Sequence, residues 1–443
     1  MNIFSIFKPA PHITRISHEY VDSMYKKFRC RNFCAIFIAY AGYYLLRNNF
    51  SLAIPFLLQE STFTKTQLGA VLSILSLAYG ISKFVMGNLS DRSNPRYFIA
   101  TGLIISIIIN IAFSVIPANL LLMYILMFIN GWAQGMGGPA CFRTIAHWFS
   151  LNERGKMTAL WSVSHNLGAA LLGALAAFTT VYFGWKSIFY IPPIIVTIIT
   201  LIVLIIMRDT PQSVGLGPIE EYKTNCNFNH NVLKNDVETE KELSGKEILF
   251  KYVLINKNVW FLSVAALFIY TIRYGVLAWV PSYLSEVRHI EVAYSYFGQV
   301  IYECAGIAGI LLSGYISDKL FKNKRALLSI LYLCIVFLGI LLYWFGTGIM
   351  IHLALLIIGM FIYGPIALIG IQILDTIPKK AVGTTVGLVG LFAYVGGSTA
   401  ASSGMGYVVD SFGWNGGFSM LLISCILAIL CLSMTLISSK KVN

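Results

Sequence analysis

Apolar runs of helical length follow one another along the chain at about 33–58, 68–90, 97–116, 120–147, 157–182, 186–207, 259–285, 293–317, 326–346, 350–376, 382–409 and 414–438. Each reaches the roughly 20 residues that an α-helix needs to cross a bilayer. The pattern predicts an all-α membrane protein with twelve transmembrane helices. The one long polar stretch, 208–256, divides it into an N-terminal six-helix bundle (1–207), a linker, and a C-terminal six-helix bundle (257–443).

The two halves echo each other. Gly87-Asn-Leu-Ser-Asp91-Arg92 returns as Gly314-Tyr-Ile-Ser-Asp318-Lys319, Gly138-Pro139 as Gly364-Pro365, and Phe183-Gly184-Trp185 as Phe412-Gly413-Trp414. The offset stays close to 227 residues. Parallel six-helix repeats with a ligand site between them are a transporter architecture.

Composition agrees with the hydropathy pattern. The 443 residues are 57% hydrophobic and 12% charged, with a mean hydropathy of +0.74. A soluble domain carries roughly twice that charge fraction. No cleavable leader is expected, because the first thirty residues are polar and basic. Eight scattered cysteines, Cys30 and Cys34 among them, read as structural and imply no disulfide framework.

A net charge of +13 could suggest a nucleic-acid partner. The positions of the charges argue against it. If both termini lie on one side, that side collects 25 Lys and Arg residues and the other collects Lys65, Lys186 and Arg288. The positive-inside rule makes the first side cytoplasmic. Without the linker the ratio is still 18 to 3. The lipid bilayer is the expected partner, and nucleic acid is not.

Four basic residues fall inside the spans: Arg47, Lys83, Arg143 and Arg273. A charge at membrane depth costs several kcal/mol and marks a functional site by default. Arg47 and Arg273 are 226 residues apart, at equivalent places in spans 1 and 7, so a pseudo-two-fold axis would set them across a central cavity. Tyr40, Tyr43 and Tyr44 precede Arg47 on its helix face, and Tyr270 precedes Arg273. Lys83 shares a face with Tyr79, and His165 with Trp161. Glu303 is the one clear acid at membrane depth. It is open to pairing with Lys83, which alternatively contacts a ligand directly. Arg143, close to the cytoplasmic end of span 4 and near Asp91, reads as the structural partner of a helix-end carbonyl or a loop acid. The excess of central cations calls for an anion, and two guanidinium forks suit a phosphoryl group. No Ser-His-Asp set, His cluster or metal spacing points to an enzyme.

These motifs resemble the organophosphate:phosphate antiporters of the major facilitator superfamily, and the glycerol-3-phosphate branch most. The resemblance runs from Ser5-Ile-Phe-Lys-Pro-Ala-Pro-His12 through Tyr43-Tyr44-Leu-Leu-Arg47, Gly131-Trp-Ala-Gln-Gly-Met-Gly137, His165-Asn166, Met207-Arg-Asp-Thr-Pro-Gln-Ser213, Arg273-Tyr-Gly275, Tyr302-Glu303 and Tyr363-Gly-Pro365 to Asp410-Ser-Phe-Gly-Trp414. It implies the major facilitator fold and exchange of inorganic phosphate for an organophosphate by alternating access. By that resemblance Arg47 and Arg273 bind phosphate with His165, and Lys83, Tyr40, Tyr44, Tyr79, Tyr270, Trp161, Glu303, Tyr363 and Tyr394 line the pocket or pathway. Asp91, Arg92, Arg143 and Asp318 are expected to gate the cytoplasmic side. A functional monomer without cofactors in a bacterial inner membrane is expected.

Three positions depart from the branch. Asn48 stands where Lys is usual, Ala278 where Asp is usual, and Gly138 where Trp is usual. The first two sit beside equivalent arginines, so losing both keeps the charge balanced. The third loosens its surroundings. A hexose-6-phosphate carrier, or a membrane sensor of that branch, is the alternative reading.

Overall fold

In the computed structural model, residues 7–60, 63–91, 93–116, 119–226, 250, 253–321, 324–376 and 382–440 are described. The first span is α1 (His18–Leu45) followed by α2 (Asn49–Glu60), with a break at residues 46–48. Then come α3 (Lys65–Asp91) and α4 (Pro95–Val115). The fourth span is α5 (Leu120–Gln134) plus α6 (Gly137–Trp148), and α7 (Leu151–Phe183) and α8 (Ser187–Ile206) complete the first half. A short α9 (Ile219–Cys226) opens the linker. The second half contains α10 (Lys257–Glu286), α11 (Val292–Lys319), α12 (Arg325–Phe345) and α13 (Ile349–Thr376). Its last two spans begin with α14 (Val382–Leu391) and run through π-helical turns at Phe392–Ser398 and Ala400–Gly404 into α15 (Met405–Lys440).

Among the described residues, ten helical segments are long and apolar enough to cross a membrane. The last of them, Thr385–Ile437, is two passes. They separate at Gly413, whose φ of 68° only glycine adopts readily. Adding the interrupted first span restores twelve. Local signals set several ends. Asn94 caps α4 with Pro95 at its first position, and Ser150 and Glu153 form a capping box on α7. Large apolar side chains such as Ile108, Phe178, Ile198 and Leu338 point outward, as expected where lipid is the solvent.

The halves meet along two symmetry-related seams, α3 against the π-helical stretch and α15, and α7 against α11. On the face away from the termini the seams are tight. Asp410 accepts from the backbone N–H of Lys65 and Thr66 and from the Thr66 hydroxyl. Lys65 pairs with Glu286 at 3.1 Å. A Cβ on Gly69 would lie 2.5 Å from the Ser402 carbonyl oxygen, so the backbones touch there. Tyr296 donates to the Leu52 carbonyl, and Gln299 to that of Ala169. The described bonds between the halves lie at the level of Glu303 or on this far side, and Lys83, toward the terminal face, is exposed.

Residues 7–17 and the start of the linker lie together on the N-terminal bundle. Ala10 donates to Asp209, Arg15 forks onto Glu221, and Tyr25 donates to the Gly217 carbonyl. The first part of the linker is therefore packed structure rather than a free tether.

Candidate functional site

Arg47 lies at the break in the first span and is 5% exposed. Its guanidinium carbon sits 3.9 Å from the Tyr79 ring centre, 5.3 Å from Tyr44 and 6.0 Å from Tyr394. Arg273, 4% exposed, sits within the unbroken α10. Tyr363, Tyr274 and Tyr270 surround it at 4.5, 4.8 and 5.8 Å. Tyrosine faces attract a cation by up to about 2 kcal/mol when water is excluded, less than the several kcal/mol that burying the charge costs. Among the described residues neither guanidinium has a carboxylate within 4.0 Å.

Arg273 reaches an acid indirectly. It donates to the Tyr363 hydroxyl at 3.2 Å, and Tyr363 donates to Glu303 at 2.8 Å. Asn166, on α7 of the other half, donates to the same carboxylate at 2.7 Å. Glu303 thus ties the halves together at the level of the site. Its second oxygen, the Arg273 Nε and the Tyr274 hydroxyl are buried without a partner among the described residues. Such groups are costly unless a ligand or water completes them.

His165 stands between the halves, its ring 5.2 Å from Tyr44 and 5.9 Å from Tyr363. Tyr394, on the π-helical turn, contacts Tyr79 at 5.0 Å and Tyr270 at 5.2 Å. Tyr40 packs on Trp161 at 4.3 Å and on Tyr44 at 5.5 Å. The structure therefore gathers all twelve residues of the expected site around one centre. Tyr43, expected on the same face, is turned away and donates to the Ile99 carbonyl. A Cβ on Gly138, which is buried, would make one ordinary van der Waals contact, with the Tyr40 hydroxyl at 3.9 Å, so a larger side chain there would bear on the aromatic wall. Asn48 lies in the break with its side-chain nitrogen buried and without a partner among the described residues, and Ala278 is buried.

Of the two readings left open for Lys83, the bridge to Glu303 is excluded, whereas Arg143 does pair with a loop acid and a helix-end carbonyl. Glu303 takes its bonds from Asn166 and Tyr363, so the Lys83–Glu303 bridge does not form. The Lys83 ammonium instead lies 5.6 Å from the Tyr394 ring centre and 5.9 Å from that of Tyr79. Arg143 pairs with Asp209 at 2.8 Å, both side chains buried, and also donates to the Ser93 carbonyl. Asp209 lies 66 residues away in the linker, beyond the reach of any local pattern. Arg92 and the side chains of Asp91 and Asp318 lie outside the described residues.

A reading by charge passes over the amides. Asn110, Asn130, Gln134 and Asn166 are each at most 2% exposed within apolar spans. Polarity at membrane depth, rather than charge, is the signal that marks them.

Residues 36–401 match the family model of the Major Facilitator Superfamily. The chain belongs to that superfamily. A glycerol-3-phosphate transporter of Bacillus subtilis (strain 168) is 50% identical to it over 446 residues, 99% of each chain. A probable hexose phosphate transport protein of Chlamydia pneumoniae is 40% identical over 443 residues, 97% of this chain and 96% of that one. Among solved structures, a bacterial homologue of the human lysosomal transporter Spinster, inward-facing and unoccupied, has the same fold, with a TM-score of 0.72 at 14% identity over 94% of this chain and 98% of that one. This member of the superfamily is accordingly a multi-pass secondary transporter, not an enzyme.

Proposed function

We propose that the chain exchanges sn-glycerol-3-phosphate, or a closely related triose phosphate, for inorganic phosphate by alternating access in a bacterial inner membrane. The observation that carries this reading is the pair of buried arginines, one from each repeat, ringed by tyrosines and without a carboxylate partner within 4.0 Å among the described residues. Each guanidinium presents a planar fork of donors. A phosphoryl group, with oxygens on several sides, satisfies two forks at once. The glycerol-3-phosphate transporters among its relatives support the same substrate class.

The charges suggest the cycle. With the site empty, the two cations repel and oppose closure of the halves. Bound phosphate neutralises them and lets the halves rock. Net return without cargo is then slow, and exchange is favoured. His165 joins the anion between the halves, and Lys83 draws it in along the open side. The 25-to-3 distribution of basic residues supports cytoplasmic termini. The conformation seen is then open inward, with Asp410 and the Lys65–Glu286 pair as the outer seal. Asp91, Arg92 and Asp318 latch the inner side, and the monomer is the working unit.

Hexose phosphate is the second reading, favoured by glycine at 138 beside the Tyr40 hydroxyl and by relatives with that name. Counterflow of labelled phosphate in proteoliposomes against glycerol-3-phosphate, dihydroxyacetone phosphate, glucose-6-phosphate and glycerol tests both. Trans-stimulation by the three-carbon phosphates supports the proposal. Stimulation by the hexose phosphate alone favours the second reading. Binding without flux marks a sensor, and no response to any phosphate ester rejects the proposal.

A further inference from the structure

The break beside Arg47 frees backbone carbonyls at membrane depth, where no water is at hand to satisfy them. Two buried carboxamides supply donors to the Leu46 carbonyl, and a third adds a second donor to the Tyr43 carbonyl, which also accepts from the Leu46 N–H. Asn110 on α4 and Asn130 on α5 both donate to the Leu46 carbonyl at 3.1 Å. Gln134, one turn beyond Asn130, donates to the Tyr43 carbonyl at 3.1 Å. All three are 2% exposed. They converge on the backbone that immediately precedes Arg47.

The second repeat has no such set. At the offset of 226 that relates Gly138 to Gly364 and Arg47 to Arg273, the equivalent positions are Val336, Leu356 and Met360. The helix there is unbroken, and Arg273 is steadied by Tyr363 instead. The amides and the break thus occur together in one repeat and are missing together in the other.

We infer that Asn110, Asn130 and Gln134 are positioning residues for Arg47. They hold the interrupted backbone so that the guanidinium is presented to the central cavity already oriented, with no ordering left for the ligand to do. They need not touch the substrate. The inference rests on the proposed phosphate exchange only for its transport readout.

The test replaces each amide by its counterpart in the second repeat: Asn110→Val, Asn130→Leu and Gln134→Met, singly and together, in the full chain in proteoliposomes, with inorganic phosphate as the probe. Loss of one bond to a buried carbonyl should raise the half-saturation concentration roughly 5- to 10-fold, with the maximal rate held within about 2-fold. The triple variant should exceed roughly 50-fold. Asn32→Leu is the control. It removes an equally buried amide, fifteen residues before Arg47, that donates to the Phe28 carbonyl at 3.0 Å, outside the set that holds the break. It should lower the thermal midpoint and leave half-saturation within about 2-fold. Half-saturation unchanged in the single variants, or raised equally in the control, overturns the inference. A second readout needs no transport. The labelling rate of Arg47→Cys by a small thiol reagent should change about 5-fold when Asn130→Leu is added, but not with Asn32→Leu. An unchanged rate overturns the inference even if the wild type exchanges nothing. Absence of exchange in the wild type rejects the proposed function alone.

Discussion

Arg47 ends an interrupted helix, wrapped by tyrosines from both halves and held through its backbone by amides from two neighbouring helices. Arg273 lies within a continuous helix and is held through its side chain, by way of Tyr363, to Glu303. A third membrane-depth arginine, Arg143, has a direct buried carboxylate in Asp209. Side by side they differ in whether the protein itself completes the charge. Arg143 is completed by Asp209. Arg47 and Arg273 have no carboxylate within 4.0 Å among the described residues, which is the contrast behind the proposed anion site. The repeat supplied two equivalent cations, and the two halves then secured them by different means.

The largest effect is expected where the two central arginines behave alike. Arg47→Lys and Arg273→Lys keep the charge and lose the fork, and phosphate exchange should fall roughly 1000-fold in each. Substantial exchange in one but not the other would break their functional equivalence. Arg143 should behave differently. Asp209→Ala leaves its guanidinium buried and unpaired, so the purified transporter should lose about 3 kcal/mol of stability. A thermal-unfolding series measures this. Phosphate half-saturation in the protein that remains folded should be unchanged, and a selective loss of phosphate affinity would move Arg143 into the site.

Tyr363→Phe sharpens the contrast between the halves. It removes the hydroxyl that links Arg273 to Glu303, and half-saturation for phosphate should rise about 10-fold. If the affinity does not change, the relay does not steady Arg273. The smallest effect belongs to the outer seal. Lys65 and Glu286 are partly exposed, so Lys65→Ala should shift the balance between open-in and open-out forms only about 2-fold. Distances between spin labels on the far face read that shift, and complete loss of the closed-out form would make the pair far stronger than its exposure allows.

Much of the site is legible in the order of residues. Charges are rare in apolar spans, so Arg47, Arg273, Lys83 and Glu303 stand out, and the tyrosines follow from helical spacing. Partnership is less legible. Glu303 suits Lys83 on grounds of charge, yet its neighbours are Asn166 and Tyr363, because the seam between α7 and α11 brings those side chains to it. Tyr43 shares a helix face with Arg47 by spacing, but the helix ends at Leu45, before Arg47, and the Tyr43 hydroxyl donates to the Ile99 carbonyl. Asn110, Asn130 and Gln134 carry no charge, and their purpose emerges only beside the carbonyls they bind.

Hydropathy was enough to predict twelve passes, because the bilayer imposes a length on every span and leaves no other way to satisfy the backbone. The internal repeat was enough to pair the two arginines, since duplicated bundles carry equivalent residues to equivalent places. Helix interruption, the choice of hydrogen-bond partner and the face on which the halves close came from the packed structure alone. Each depends on which side chains from distant spans arrive at the same few ångströms, and on a carbonyl or a charge that cannot remain unsatisfied where there is little water.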